Sequence, residues 1–340
     1  MKITLQDIAR ETGYSVNTVS HALSGKTDIS ESTRKKITEA AERLGYVGNY
    51  AASSMRTGKS MVVGVIIPDI KNPYFSVVVH EIEQYLFGIG YTVTVFSTDE
   101  SSELEREAIK ACRLRNMDGI IICPTQKSRA NIEMLRNLNV PYILISRHFD
   151  SFTDPFIGTD DLKGGYMATR HLIELGHKKI AFFNADQRIS CSRDRAQGYR
   201  SALSDAGLEY DPSLIFCLST TTQINSFEAV EQFFANCPDC TAVVAFNDII
   251  AFQVINFLHR SGRRVPEDIS VVGFDNICCD FTFPLPLTSI STSKKAMAEW
   301  AARKLFNMMS GDKEMCHVVL NPQLLVRETA VKPQKKSGTV

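Results

Sequence analysis

Leu5-Gln6-Asp7-Ile8-Ala9-Arg10-Glu11-Thr12-Gly13-Tyr14-Ser15-Val16-Asn17-Thr18-Val19-Ser20-His21-Ala22-Leu23 reads as a helix, a tight turn and a second helix. Leu5, Ile8 and Ala9 share one face of the first helix, and Val19 and Leu23 one face of the second. Ala9 is small enough for two helices to cross closely, and Gly13 suits a turn that other residues resist. Ser15 is placed to cap the second helix through an amide near Thr18. This spacing predicts a helix-turn-helix, whose second helix enters the major groove of DNA.

Working outward, Ser30 is the expected cap of a third helix, with Ile37, Ala40, Ala41 and Leu44 at helical spacing and Gly45 as its stop. Residues 49–60 are Ala-rich but too short for an isolated helix. They read either as a flexible linker or as a hinge that becomes helical on a partner surface. From Met61 apolar strands alternate with amphipathic helices. Strands are expected at Val62–Pro68, Thr92–Ser97, Gly119–Cys123 and Tyr142–Ser146, then near 179–184, 213–217, 241–246 and 269–274. Thr288–Ser291, a helix near 293–310 and strands near 317–327 follow. The fold class is an all-α helix-turn-helix headpiece plus an α/β core of two Rossmann-like subdomains around a cleft, with ligands expected at strand carboxyl ends.

Composition narrows the classes. The 340 residues are 44% hydrophobic and 22% charged, ordinary for a globular protein of two or three domains. The 38 basic and 38 acidic residues balance overall, but residues 1–60 hold nine Lys or Arg against six Asp or Glu. That modest excess sits on the segment that must face phosphates. No run of 18 apolar residues predicts a membrane span, and Met1-Lys2-Ile3-Thr4-Leu5 opens no signal peptide, so a cytoplasmic protein is expected. The nine cysteines form no regular framework; Cys237-Pro238-Asp239-Cys240 is a lone pair, which predicts neither metal nor cofactor. No Gly-x-Gly-x-x-Gly, GxSxG, Walker loop or HExxH is present, so an enzyme is not expected. His171 and His177 read as structural.

The chain resembles the LacI/GalR family of bacterial transcriptional repressors along nearly its whole length. The resemblance rests on Thr18-Val19-Ser20, Leu44-Gly45-Tyr46, Arg56-Thr57-Gly58-Lys59-Ser60 and Ile67-Pro68-Asp69-Ile70-Lys71-Asn72-Pro73-Tyr74-Phe75. It continues through Leu175-Gly176-His177, Arg195-Ala196-Gln197-Gly198-Tyr199-Arg200, Asn247-Asp248, the run from Pro266 to Asp275, and Pro286-Leu287-Thr288. It implies a homodimer on a pseudo-palindromic, double-stranded operator and a periplasmic-binding-protein-like core that holds a small effector. A sugar that releases the DNA is the first expectation; a corepressor-dependent repressor or an activator, answering a nucleobase or other metabolite, is the alternative. A carboxyl-terminal leucine heptad is missing, so a dimer is expected rather than a tetramer.

Residue by residue, Val16, Asn17 and His21 match the family's base-reading positions. Asn17 suits adenine, Val16 a thymine methyl, and His21 a purine. His21 stands where arginine is common. Ser15, Thr18, Ser20, Ser30 and Thr33 are candidates for phosphate contacts. Met55, where relatives carry leucine, and Arg56 are expected at the minor groove. Effector contacts are expected from Asp69, Asn72, Tyr74, Phe75, Arg147, Asp160, Arg195, Asn247 and Asp275. Carboxylates and amides there bond paired hydroxyls while a ring stacks. The expected divisions are 1–48, a hinge at 49–60, and a core at 61–330. Its N-subdomain takes about 61–158 and 288–316, and its C-subdomain about 159–287 and 317–330. Residues 331–340 read as a disordered tail.

Overall fold

A computed structural model describes residues 3–46, 58–149, 153–218, 221, 223–224, 226–277 and 286–334. Met55 and Arg56 lie outside the described residues, as do Cys278 and Cys279. The chain divides into two compact units, residues 1–60 and 61–340.

The first unit holds α1 (Leu5–Thr12), α2 (Val16–Leu23) and α3 (Glu31–Arg43). Each helix begins where a short polar side chain meets an otherwise unpaired amide. Ser15 Oγ accepts from the Thr18 N–H at 3.0 Å, and Ser30 Oγ accepts from the Thr33 N–H at 3.3 Å. At α1 the Thr4 N–H and hydroxyl both donate to the Asp7 carboxylate, at 2.9 and 2.7 Å. Gly13 ends α1 at φ 75°, the left-handed region glycine favours. Ile8, Val19, Ala22, Ile37 and Ala41 meet in a small core, with Leu5, Ala9, Leu23 and Leu44 packed around it.

In the second unit the chain runs β1 (Val62–Ile67), α4 (Pro73–Gly88), β2 (Thr92–Ser97), α5 (Ser102–Leu114), β3 (Gly119–Ile122), α6 (Ala130–Asn137), β4 (Tyr142–Ile145) and β5 (Phe156–Thr159). It continues through α7 (Asp161–Glu174), β6 (Ile180–Asn184), α8 (Ser190–Asp205), β7 (Ile215–Cys217), α9 (Phe227–Asn236), β8 (Ala242–Ala245), α10 (Asp248–Arg260), β9 (Ser270–Phe274) and β10 (Thr288–Ser291). The last elements are α11 (Lys294–Met309), β11 (His317–Leu320) and β12 (Gln323–Leu325). Two six-stranded sheets result, ordered β11-β5-β4-β3-β1-β2 and β12-β10-β9-β8-β6-β7. All pairings are parallel except β10 with β12. Helices cover both faces, so the central strands are apolar on both sides, as in the fully buried Gly-Ile-Ile-Ile of β3 and Ala-Val-Val-Ala of β8.

Three details depart from the sequence reading. Strand β5 was not expected: it is four residues long, follows Pro155 and contains Gly158, so it carries little local β signal. The expected split of 288–316 from 317–330 is corrected by strand pairing. Strand β10 joins β9 in the second sheet, while β11 lies against β5 in the first. Helix α11 does pack on the first sheet, through Met297, Ala298, Ala301, Ala302 and Leu305. The chain therefore passes between lobes at 159–161, 291–294 and 320–323. Finally, the expected tail is anchored at its start. The Val331 N–H donates to Ser270 Oγ at 3.0 Å, and His177 Nε2–H donates to the Val331 carbonyl at 2.8 Å. That bond leaves His177 Nδ1 to accept from Thr241 Oγ1, at 2.8 Å.

Helices α7 and α8 touch backbone to backbone. A Cβ on Gly165 would overlap the Arg195 backbone, and one on Gly198 would overlap the Leu162 carbonyl and Tyr166 amide. This close crossing sets Arg195 of α8 beside Asp161 at the start of α7. Among the described residues no helix is long and apolar enough to cross a membrane.

Candidate functional site

In the first unit α2 presents Val16 and Asn17 to solvent. His21 lies one turn beyond Asn17 on the same face. Its Nδ1 sits 2.7 Å from the Asp28 carboxylate, and Lys26 Nζ sits 3.3 Å from its Nε2. Asp28 therefore accepts the Nδ1–H, and the ring is oriented from the loop that follows α2. Ser15 and Thr18 hydroxyls share one hydrogen bond of 2.8 Å, and Ser30 donates to Thr33 Oγ1 at 2.9 Å. One of the two Ser15–Thr18 hydroxyl protons remains for a phosphate oxygen, as a hydroxyl carries one donor. Ser20 is half-buried on the same helix.

The second unit carries its polar site between the lobes. An inner pocket of about 40 Å³ is lined by Asn72, Tyr74, Phe75 and Arg147 from the first lobe and by Asp161, Arg195, Asn247 and Asp275 from the second. Strand ends and helix starts bring them there. Asn72 caps α4 by accepting the Tyr74 N–H at 3.0 Å, which fixes Tyr74 and Phe75 in its first turn. Those rings meet edge to face, 5.0 Å between centroids, and Tyr74 OH lies 2.9 Å from Ser146 Oγ. Asn247 caps α10 by accepting the Ile250 N–H, and its Nδ2 donates to the Thr221 carbonyl at 2.7 Å.

Arg195 is the electrostatic centre. Its Nε and Nη2 lie 2.8 Å from Asp161 Oδ1, Nη2 lies 3.8 Å from Asp275 Oδ1, and Nη1 donates to the Phe246 carbonyl. Its guanidinium stacks 3.5 Å above the centroid of the Phe274 ring. Burial pushes Asp161 up and the Arg195 charge pulls it back, to about 6. Burial likewise raises Asp275, against Arg195 and Lys294. Both carboxylates are thus buried and gain from ligand hydroxyls that donate to them. Beneath them Asp248 accepts from the Ile277 N–H at 2.8 Å and lies 2.6 Å from Ser289 Oγ. Burial, with the Asp275 charge nearby, pushes it up to about 8. Lys294 and Arg327 clamp the same loop, Lys294 through the Asp275 carbonyl and Arg327 through Asn276 Oδ1, at 2.8 and 2.6 Å. Asp275 and Asn276 hold left-handed φ values of 98° and 52°, a strain the surrounding bonds sustain.

Two expected residues lie elsewhere. Asp160 is the cap of α7, accepting the Lys163 N–H at 2.9 Å, and its neighbour Asp161 faces the pocket instead. Asp69 accepts the Lys71 N–H and lines a second, outer chamber. Arg147 reaches the pocket, but its two terminal nitrogens, Nη1 and Nη2, donate to Glu100 at 2.9 and 2.6 Å. Burial raises Glu100, but the Arg147 charge and the hydrogen bonds from Arg147 and Thr221 together outweigh it and hold the carboxyl below its ordinary value. Glu100 was not foreseen from sequence, nor were Asp161, Thr221 or Phe246. Several bonds span the lobes: Thr221 Oγ1 donates to Glu100 at 3.2 Å, His148 Nε2–H to Asp194 at 2.8 Å, and Ser190 N–H to Gln126 at 2.8 Å.

Residues 4–49 match the family described as bacterial regulatory proteins, lacI family. Residues 60–329 match the periplasmic binding proteins and sugar binding domain of LacI family. The HTH-type transcriptional repressor PurR of Photobacterium profundum is 29% identical over 328 residues, which cover 96% of this chain and 98% of that protein. The fold is that of the lac repressor dimer solved with operator and the anti-inducer ONPF, with a TM-score of 0.85 at 23% identity over 97% of this chain and 100% of that one. The complex of the transcriptional regulator CelR with cellobiose gives a TM-score of 0.73 at 27% identity, covering 97% and 100% of the two chains.

Proposed function

Because the chain belongs to the LacI family of bacterial regulatory proteins, we propose that it is a transcriptional repressor whose homodimer binds a pseudo-palindromic operator and releases it when a sugar enters the cleft. The observation that carries the ligand half of this reading is the buried Asp161–Arg195–Asp275 group beside Asn247 and the Tyr74 and Phe75 rings. Carboxylates accept from adjacent hydroxyls, the guanidinium donates to a ring or hydroxyl oxygen, and the aromatic faces cover the sugar's C–H side. CelR, a relative in fold and sequence, is solved with cellobiose.

Readout falls to Val16, Asn17 and His21 in the major groove, with Ser15, Thr18, Ser20, Ser30 and Thr33 on phosphates and Met55 and Arg56 at the minor groove. The protein acts by binding rather than by catalysis, in the cytoplasm where its DNA lies. An effector that touches both lobes favours one closure angle, competing with or reinforcing the Glu100–Thr221 and His148–Asp194 contacts. The linker transmits that choice to the DNA-reading unit.

The test is an anisotropy titration of the full chain on its operator, with and without a panel of sugars. One sugar is expected to weaken binding, and Arg195→Lys to abolish that response while operator affinity stays within about twofold. A sugar that strengthens binding would make it a corepressor; a response unaltered by Arg195→Lys would overturn the site.

A further inference from the structure

Between the lobes, outside the inner pocket, lies a larger chamber of about 330 Å³. Asp69, Lys71, Asp99 and Lys127 line it from the first lobe, and Asp186 and Arg188 from the second. The wall that separates the two compartments is a chain of side chains. Arg147 faces inward, Glu100 binds it and faces outward, and Thr221 reaches across from the other lobe to Glu100. Asp99 and Glu100 are consecutive non-glycine residues with φ of 47° and 58°. Each such conformation is unfavourable for an L-residue, so the loop is held against its own preference with Glu100 in the dividing position.

The chemistry of the outer chamber selects its occupant. Four carboxylates, those of Asp69, Asp99, Glu100 and Asp186, face three cations, Lys71, Lys127 and Arg188. Arg147 neutralises Glu100 and Arg188 neutralises Asp186, leaving two carboxylates and two ammonium groups, so a phosphate or carboxylate ligand finds no net positive charge there. Asp186 is occupied by Arg188 at 2.9 Å, whereas Asp99 and the Lys71 and Lys127 ammonium groups form no ion pair among the described residues. A surface offering both acceptors and donors suits hydroxyls, which donate to the carboxylates and accept from the ammonium groups. The chamber is large enough for a ligand ring, at the lower end of the roughly 300–1,000 Å³ of small-molecule sites. The inner pocket alone is well below that range.

We infer that the outer chamber is a second ligand subsite, taking the second ring of an uncharged, disaccharide-length saccharide whose first ring enters the inner pocket as the lobes part and the Thr221–Glu100 bond opens. Glu100 is the residue at the junction, where the glycosidic link passes. The inference rests on the sugar reading of the inner pocket and adds the length of the ligand to it.

The experiment is a thermal-shift and calorimetric comparison of the full chain with glucose, galactose and xylose against cellobiose, maltose, lactose, melibiose and xylobiose. A disaccharide is expected to bind about tenfold or more tighter than its constituent monosaccharide, the worth of one or two added hydrogen bonds. Lys127→Ala and Asp69→Ala are expected to erase that advantage, with the melting transition of the unliganded variants checking that they fold. A monosaccharide that binds as tightly as every disaccharide would overturn the second subsite while leaving the sugar reading standing. So would a disaccharide advantage that survives both substitutions. Binding by none of these saccharides would overturn both.

Discussion

Replacing Gly198 with alanine adds one methyl group where the structure has no room for it. Its Cβ would overlap the Leu162 carbonyl oxygen and the Tyr166 amide nitrogen, and the next neighbour, the Gly165 carbonyl carbon, would lie at 3.0 Å, closer than ordinary contact. All three are backbone atoms of α7, so no side-chain rotation relieves the overlap and α7 and α8 must part. Overpacking of this kind costs about 1–3 kcal/mol or more. Parting the helices also stretches the 2.8 Å bonds from Arg195 to Asp161, and a charged hydrogen bond is worth about 1.5–3 kcal/mol. The sum is a loss of roughly 3–5 kcal/mol, a large fraction of a domain's stability. The control is the same chemical change at Gly88, the last residue of α4, where a Cβ meets nothing within 4 Å and φ is not positive. There alanine is expected to stabilise by about 0.5–1 kcal/mol through helix propensity and a less entropic unfolded chain. Urea titrations of both variants, followed by circular dichroism, read the difference directly. Gly198→Ala with a midpoint equal to that of the parent or of Gly88→Ala would refute the close crossing as the device that places Arg195.

Asp28→Ala is expected to lower the ratio of operator to single-base-variant affinity about fivefold, because His21 loses the acceptor that orients it. Asp28→Asn, which keeps an acceptor, retains the preference; anisotropy at matched salt separates this from the general affinity gained by removing a negative charge. For Asp248, the folded carboxyl titrates near 8 and the unfolded one near its ordinary 3.8, so the folded state holds the proton more tightly. Stability from this group is therefore lost as pH rises from about 4 to 8. Urea midpoints from about pH 5 to pH 8 should fall more steeply for the parent than for Asp248→Asn, and parallel slopes would count against a protonated Asp248.

What the sequence disclosed was local, and what it concealed was distant. The caps at Ser15 and Ser30 need only residues three apart, and the strand–helix alternation needs only a period. Glu100 is 47 residues from Arg147 and 121 from Thr221, so nothing in its neighbourhood marks it as the wall of a site. Asp160 and Asp161 are adjacent carboxylates at a helix start, where one side chain turns back to the backbone and the next points inward. Choosing between them requires a helix boundary exact to one residue, finer than periodicity resolves. Asp28 falls in the loop after α2, and its bond to His21 exists only once that loop folds back.

The interleaving of the two lobes bears on how the protein is made. The face of the first sheet carrying Val65, Ile121 and Ile143 is covered by Met297, Ala298 and Leu305 of α11, and the β5 edge is sealed only by β11. A chain emerging from the ribosome therefore carries an apolar sheet face only partly covered, by α4, and an unpaired strand edge from residue 159 until residues 294–320 follow. The second lobe gains β12 directly afterwards and is pinned by Val331. Both lobes finish within the same short stretch of synthesis, so slow translation before residue 294 would prolong the interval in which the nascent chain can aggregate.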